Sequence, residues 1–202
     1  MEIATAIEQL LQFLNKADQD VTWALNTLHT PFTDTAWLFF SNVRIWYIMY
    51  LVIVVFFFIR LGWKRALVVT ASCILLVVAT DQFANLIKHA VCRLRPMEDA
   101  DMLARGLHVL EKSGGLYGFF SAHAANAMGF AMCSYKGFRN DRTHLYVAYA
   151  GFIFTWATLV GLSRVFVAKH YLGDVLVGFV VGLVFGWIIG RIAHVLIKKL
   201  KL

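Results

Sequence analysis

The sequence is poor in charged residues and proline, and both shortages limit what the chain can be. Charged residues make up 15% of the 202 residues, hydrophobic residues make up 60%, and the mean hydropathy is +0.67. This apolar share exceeds that of a soluble domain of the same size and indicates that a membrane is the solvent. With 2 prolines and no repetitive stretch, no linker is apparent, so residues 1–202 are interpreted as a single domain.

The few cysteines and the scattered basic residues argue against disulfide, zinc and nucleic-acid sites. Cys73, Cys92 and Cys133 are odd in number, lack CxxC spacing and lie in or beside apolar segments, which is typical of packing residues. The net charge of +7 comes from short basic clusters and not from a continuous basic stripe. Nucleic acid is therefore not predicted as a partner.

The first 30 residues predict an amphipathic helix at the membrane surface. Polar and apolar residues alternate there at helical spacing, and the apolar set is Ile3, Ile7, Leu10, Leu11 and Leu14. Acidic and amide side chains interrupt the apolar run too early for a signal peptide. We expect residues 1–30 to lie along the interface without crossing the bilayer.

Five apolar segments are long enough to cross a membrane as helices, which takes about 20 residues. They cover residues 35–59, 66–88, 119–135, 145–162 and 170–197. The predicted fold is thus an all-α polytopic transmembrane bundle over residues 35–198. The short connections 60–65 and 136–144 and the C-terminal tail are rich in lysine and arginine, which indicates that they are cytoplasmic.

This topology places a set of polar residues at the opposite face of the membrane. They are Lys88, Ser121, His123, Arg164, His170 and Asp174. Because alternating spans bring their ends to one level, a bundle can gather these side chains into a single outward-facing pocket. A lipid headgroup would lie at that level.

Three motifs in this region are similar to those of a known family. They are K-x6-RP from Lys88 to Pro96, Ser121-Ala122-His123 where the family has PSGH, and SR-x5-H-x3-D from Ser163 to Asp174. In this order they resemble the signature of the type 2 phosphatidic acid phosphatase (PAP2) family, over roughly residues 81–178. The second motif departs from the family pattern, with Phe120 for proline and Ala122 for glycine.

The residue types suit phosphoryl transfer, which places negative charge on three equatorial oxygens. Lys88, Arg95 and Arg164 are predicted to supply positive charge, and the arginines can each grip two oxygens. Ser121 and the backbone amides from Ala122 onward are predicted to add neutral donors at a helix N-terminus. These groups would do the work of magnesium in kinases, so no metal and no cofactor are predicted.

The resemblance implies the roles of three further residues. His170 would attack phosphorus and form a phosphohistidine, while His123 would protonate the departing lipid oxygen and later activate water. Spacing alone permits either order of the two histidines. Asp174, four residues after His170, is predicted to bind its second ring nitrogen. The implied protein is a metal-independent lipid phosphate phosphatase in a bacterial inner membrane, with its active site facing outward.

The sequence leaves the substrate and the reaction class open. Undecaprenyl diphosphate is the favoured substrate, with phosphatidylglycerol phosphate, phosphatidic acid and lipid A phosphate as alternatives. The same site could instead transfer phosphate between two lipids, because water and a lipid hydroxyl can both resolve a phosphohistidine. A third alternative is a membrane protein that binds a lipid headgroup without turnover.

Several polar residues receive no role at this point. Arg93 and Lys169 lie on the same side as the predicted pocket, and Asp81 and Asn85 share a helix face with Lys88. The histidines without motif context are interpreted as structural or solvated, and they are His29, His89, His108, His144 and His194.

Overall fold

The computed structural model describes residues 2–202, with side chains from residue 4 onward, and this part of the chain is helical. The helices are α1 (Glu2–Asn26), α2 (Pro31–Ser41), α3 (Tyr47–Leu61), α4 (Trp63–Val91), α5 (Ala100–Ala104), α6 (Ala122–Phe138), α7 (Val147–Phe166) and α8 (Leu172–Lys199). Short 3-10 turns lie at Val43–Trp46 and Pro96–Glu98. The prediction of an all-α fold is confirmed.

Within residues 2–202, four helical segments are long and apolar enough to cross a membrane. They are Val43–Leu61, Trp63–Val91, Val147–Phe166 and Leu172–Lys199. The remaining predicted span corresponds to α6, which is only 17 residues long and is mostly buried against its neighbours. A crossing by α6 therefore stays a prediction, and with it the number of five spans.

The prediction of one continuous helix over residues 35–59 is wrong. α2 ends at Ser41, and Asn42 has an extended backbone with φ −82° and ψ 100°. The Asn42 side chain accepts a hydrogen bond from the Arg44 N–H at 3.1 Å and so begins the following 3-10 turn. Asparagine competes with helix in this way because its side chain bonds nearby backbone. The break places Ser41 and Arg44 at the mouth of a cavity described below.

α1 exposes the apolar residues of the amphipathic pattern, among them Ile7, Leu10 and Leu11, whereas the side chain of Ile3 lies outside the described residues. The second half of α1 packs on the start of α8. The Asp18 carboxylate accepts a hydrogen bond from the Gly173 N–H at 2.8 Å, and the Thr22 hydroxyl accepts one from the Leu172 N–H at 2.9 Å. α1 thus covers one end of the bundle, and its position along a membrane surface stays a prediction.

The backbones of α6 and α8 approach each other closely. α8 has a glycine at every fourth position of the face that meets α6, namely Gly178, Gly182, Gly186 and Gly190. A Cβ atom at Gly182 would lie 2.4 Å from the Ala125 carbonyl oxygen and 2.8 Å from the Gly129 nitrogen. Small residues at this spacing let membrane helices pack backbone to backbone. This glycine repeat was not among the features predicted from the sequence.

We expect Gly182→Ala to destabilise the bundle, because the added methyl group would push α6 and α8 apart. Overpacking of this kind costs about 1–3 kcal/mol. Gly151→Ala in α7 is the matched control, since a Cβ there meets nothing within 4 Å and alanine favours helix. Thermal unfolding in detergent measures both variants, and a Gly182→Ala transition at the wild-type temperature would contradict the close approach.

Candidate active site

The polar residues of the three motifs come together at the end of the bundle that α1 covers. Lys88 and Arg164 lie in the last turns of α4 and α7, His123 lies in the first turn of α6, and Asp174 lies in the first turn of α8. The charges of Arg164, Arg95 and Lys88 all act on His170. The convergence expected from alternating spans is therefore present in the structure.

A cavity of about 590 Å³ opens onto these residues. Arg95, His123 and Arg164 form part of its wall, and residues from α2, the following turn, the loop after α5 and Tyr47 at the start of α3 form the rest. Three predicted residues thus face one space that is large enough for a phosphate and part of a headgroup.

His170 lies in the connection between α7 and α8 and is almost fully enclosed, with 2% exposure. Burial, followed by the positive charges of Arg164, Arg95 and Lys88, holds the pKa of His170 well below its ordinary value. The imidazole is therefore neutral near neutral pH. A neutral imidazole has the lone pair that a nucleophile needs.

Asp174 lies close to His170 but does not form the predicted hydrogen bond with it. The Asp174 Oδ2 is 3.5 Å from the His170 Nδ1, and this nitrogen is buried without a hydrogen-bond partner among the described residues. Oδ2 instead accepts the Tyr171 N–H at 3.1 Å, and Oδ1 accepts the Arg93 Nη1 at 2.7 Å. The carboxylate is drawn away from the imidazole because it caps the start of α8.

Arg93 connects the Asp174 carboxylate to α1, and this connection was not predicted from the sequence. Its Nη2 donates to the Asp18 carboxylate at 2.8 Å and to the Asn15 side chain at 2.9 Å, and the guanidinium lies 4.1 Å above the Tyr171 ring. The only signal in the sequence was a basic residue two positions before Arg95. The contact with Asp18 depends on where α1 packs, which no local pattern indicates.

Arg164 already has an anionic neighbour in the cavity. It is 4% exposed, and its Nη1 lies 3.5 Å from the Glu111 Oε2. The Ser41 hydroxyl joins the two, since it donates to Glu111 and accepts from Arg164. The Arg164 Nε is buried without a hydrogen-bond partner in the described part of the chain. A phosphate on Arg164 would therefore compete with the Glu111 carboxylate.

The start of α6 accommodates both departures from the family motif. Ser121 is the N-cap, where its hydroxyl accepts the Ala124 N–H at 3.4 Å and its own N–H donates to the Asp174 carbonyl at 3.0 Å. The φ angle of Ala122 is not positive, so its methyl group causes no backbone strain. Phe120 is 1% exposed and belongs to the apolar cluster that contains Ala84.

Lys169, Asp81 and Asn85 received no role from the sequence, and the structure gives them different surroundings. Lys169 is 1% exposed, and its ammonium donates to the Ser113 carbonyl, so it holds the loop after α5 against the site. Asp81 lies within electrostatic range of Lys88, whereas Asn85 is exposed. Asp81 rather than Asn85 thus has the position to influence the lysine.

Comparison with known proteins decides the family. The profile of the PAP2 superfamily matches residues 66–198, a range that contains all three motifs. The chain belongs to the PAP2 superfamily. The predicted resemblance is therefore confirmed.

Two similar proteins and one similar structure extend this result. Lipid A 4'-phosphatase of Bacteroides thetaiotaomicron is 30% identical over 95% of this chain and 84% of its own length. Lipid A 4'-phosphatase of Porphyromonas gingivalis is 26% identical over 90% of this chain and 75% of its own length. The crystal structure of a transmembrane PAP2 type phosphatidylglycerolphosphate phosphatase from Bacillus subtilis has the same fold, with a TM-score of 0.68 and 18% identity over 90% of this chain and 86% of that one.

This PAP2 chain is an integral membrane protein, and its family and relatives show that it is a lipid phosphatase. The alternative of a membrane protein that binds headgroups without turnover is thereby set aside.

Proposed function

We propose that this PAP2 enzyme hydrolyses a phosphate monoester on a glycolipid of the lipid A class at the outer face of a bacterial inner membrane. One observation carries the proposal: Arg95, His123 and Arg164 line a single cavity, and the charges of both arginines act on the buried, neutral His170. The two lipid A 4'-phosphatases that cover most of this chain support the choice of substrate. Undecaprenyl diphosphate, favoured by the sequence alone, becomes the second candidate.

In the proposed mechanism, His170 attacks phosphorus through its Nε2, because its Nδ1 faces the Asp174 carboxylate at 3.5 Å. The N–P bond forms as the bond to the lipid oxygen breaks, and His123 gives that oxygen a proton. Water then attacks the phosphohistidine with His123 as the base, which releases inorganic phosphate. The nearby carboxylate stabilises the imidazolium that forms in the first step.

The cationic side chains stabilise the charge that develops on phosphorus. Arg164 and Arg95 face the cavity, and Lys88 lies within electrostatic range of both. Together with Ser121 and the free amides at the start of α6, they provide donors for the three equatorial oxygens. We propose on this basis that phosphoryl transfer proceeds without a metal ion.

A second, apolar cavity supports a lipid substrate. It measures about 520 Å³ and is lined mainly by aromatic and aliphatic side chains from α3, α4, α6 and α7. Val43, Tyr47 and His123 belong to the walls of both cavities. We therefore place an acyl chain in the apolar cavity and the phosphate in the polar one. His123 then lies at the junction, where the leaving oxygen joins lipid to phosphate.

Phosphate release from a panel of lipids tests this proposal. The purified enzyme in detergent with EDTA would receive lipid A, undecaprenyl diphosphate, phosphatidylglycerol phosphate and phosphatidic acid in separate assays. We expect the highest kcat/KM for lipid A. A preference for the diphosphate would overturn the substrate assignment, and phosphate recovered on an added acceptor lipid in place of free phosphate would indicate a phosphotransferase.

We expect His170 to stay neutral at about pH 6, where an unperturbed histidine is largely protonated. The sign follows from its lowered pKa: burial and three neighbouring cations disfavour the charged form, so a lower pH is needed to protonate it. NMR of the histidine-labelled enzyme measures the charge directly, with the signal assigned by its loss in His170→Gln. A signal that titrates above pH 6.5 would contradict the enclosed geometry.

Glu111→Gln is expected to lower KM about threefold to tenfold, equivalent to about 0.7–1.4 kcal/mol of removed competition for Arg164. Glutamine keeps the size of the side chain and removes the negative charge that lies 3.5 Å from the Arg164 guanidinium. Glu8→Gln, on the exposed part of α1, is the charge-matched control. If Glu111 instead positions Arg164 for substrate, KM rises in Glu111→Gln, which is the opposite result.

A further inference from the structure

Outside the active site, two histidines and an aspartate meet between the α1–α2 connection and the loop after α5. His29 lies in the connection, Asp34 in the first turn of α2, and His108 in the loop. The His108 Nε2 is 2.9 Å from the Asp34 Oδ2, and the His29 Nδ1 is 4.0 Å from the same oxygen. One donor atom from each residue lies within 4.8 Å of the other two.

The backbone on both sides of this cluster is held in place. Thr30 and Thr33 form a reciprocal cap at the start of α2, which fixes the first turn that carries Asp34. The Asn26 side chain, 1% exposed, donates to the His108 carbonyl at 3.0 Å and accepts from the His108 N–H at 2.8 Å. Two segments that are distant in sequence therefore present their side chains to one point.

The aspartate has an oxygen that the protein leaves without a partner. The Asp34 Oδ1 is buried and has no hydrogen bond among the described residues. A buried carboxylate oxygen without a donor is costly, and an ordered water or a bound ion would explain it. A cation that the Asp34 carboxylate binds through both oxygens, next to the imidazoles, would satisfy Oδ1.

We propose that His29, Asp34 and His108 bind a divalent cation of the zinc class, with water in the fourth position. Zinc binds imidazole nitrogen and carboxylate oxygen at about 2.0–2.2 Å, so tetrahedral donors lie about 3.4 Å apart. The two separations to Asp34 Oδ2, 2.9 Å and 4.0 Å, bracket that distance. Two imidazoles with one carboxylate favour zinc over magnesium or calcium, which prefer oxygen ligands.

Metal binding requires one rearrangement, which identifies His29 as the ligand that moves. The rings of His29 and His108 are stacked, with centroids 3.7 Å apart and planes 9° apart. A metal lies in the plane of each imidazole that binds it, and two parallel stacked planes share no such point. The His29 side chain is 42% exposed and can turn out of the stack, whereas Asp34 and Asn26 hold His108.

The bound ion cross-links the N-terminal segment to the loop that covers the active site. His108 precedes Glu111 by three residues, and Glu111 contacts Ser41 at the end of α2. The ion therefore has a structural task that is separate from the phosphoryl chemistry. His29 and His108, which the sequence indicated to be structural or solvated, are metal ligands in this proposal because tertiary contacts bring them together.

Cobalt(II) is the probe for this site, because its visible absorption reports tetrahedral ligation. We expect the full-length enzyme, stripped with a chelator and titrated with CoCl₂ in detergent, to give a band that saturates at one equivalent and is removed by ZnCl₂. His29→Gln and His108→Gln are expected to lose the band. His89→Gln, an exposed histidine outside the cluster, and His170→Gln in the active site are expected to keep it.

Thermal unfolding of the wild-type enzyme gives a second measurement of metal binding in case a histidine variant folds poorly. We expect ZnCl₂ to raise the Tm of the wild-type enzyme by mass action and to leave that of Asp34→Asn, a variant of equal size, unchanged. The absence of a saturable cobalt band in the wild type overturns the proposal. A band retained in both His29→Gln and His108→Gln, or lost in His170→Gln, also overturns it.

Discussion

Replacing His170 with alanine is expected to reduce phosphate release by at least about ten thousandfold, because the variant loses the proposed nucleophile on which every later step would depend. The residue is 2% exposed, and the cavity wall beside it carries His123, Arg95 and Arg164. The measurement is release of inorganic phosphate from lipid A in single-turnover and steady-state assays. Retained activity within tenfold of the wild type would remove His170 from the mechanism.

His89→Ala is the matched control for this variant, because His89 is exposed near the end of α4 and its ring meets that of Tyr117 edge-on, with centroids 6.4 Å apart. Its activity is expected to stay within twofold of the wild type. A brief reaction with radiolabelled substrate distinguishes a covalent role from an acid–base role. We expect acid-labile label on the wild-type protein and none on His170→Ala, whereas label on the alanine variant would assign the nucleophile elsewhere.

Arg164→Ala is expected to lower kcat/KM about a thousandfold, because the guanidinium is a buried cation in the cavity wall that is proposed to stabilise the developing charge. Its Nε has no hydrogen-bond partner in the described residues, and its Nη1 donates to the Ser41 hydroxyl, which a phosphate that binds both nitrogens would displace. Arg164→Lys should recover little, because an ammonium cannot form two parallel hydrogen bonds. Steady-state kinetics on the same lipid measure both variants.

The control for Arg164 is Arg44→Ala, which removes an exposed cation from the rim of the same cavity. We expect it to change kcat/KM by less than tenfold. An equal loss in the two variants would show that the cavity attracts the substrate by its overall charge, and the specific role of Arg164 would then be wrong. Adding Glu111→Gln to Arg164→Ala should restore no activity, since it removes a competitor for a group that is already absent.

The sequence predicted best those functional residues that lie at the ends of helices. The convergence of Lys88, His123 and Asp174 could be predicted because alternating spans place their ends at one level. In the structure, Lys88 lies within electrostatic range of the other two. The glycines at four-residue spacing in α8 were equally readable but were not used. The break at Asn42 escaped detection because apolar residues on both sides continue the hydrophobic run.

Other contacts in the site could not be predicted from any sequence pattern. Glu111 and Ser41 contact Arg164 only because a loop and α2 fold over the cavity, and their positions in the sequence carry no motif. The same is true of Asp18, whose contact with Arg93 depends on the packing of α1. The bond predicted between Asp174 and His170 was replaced by helix capping, a competition that spacing alone does not resolve.

The contact between α6 and α8 limits how this enzyme can diversify. Since a carbonyl oxygen of α6 lies where a side chain of α8 would begin, no rotamer change can alter the spacing of these two helices. Larger or smaller headgroups must therefore be accommodated on the opposite wall, by α2, the turn at Asn42 and the loop that carries Glu111. Relatives with the same reaction chemistry should differ most in those three segments.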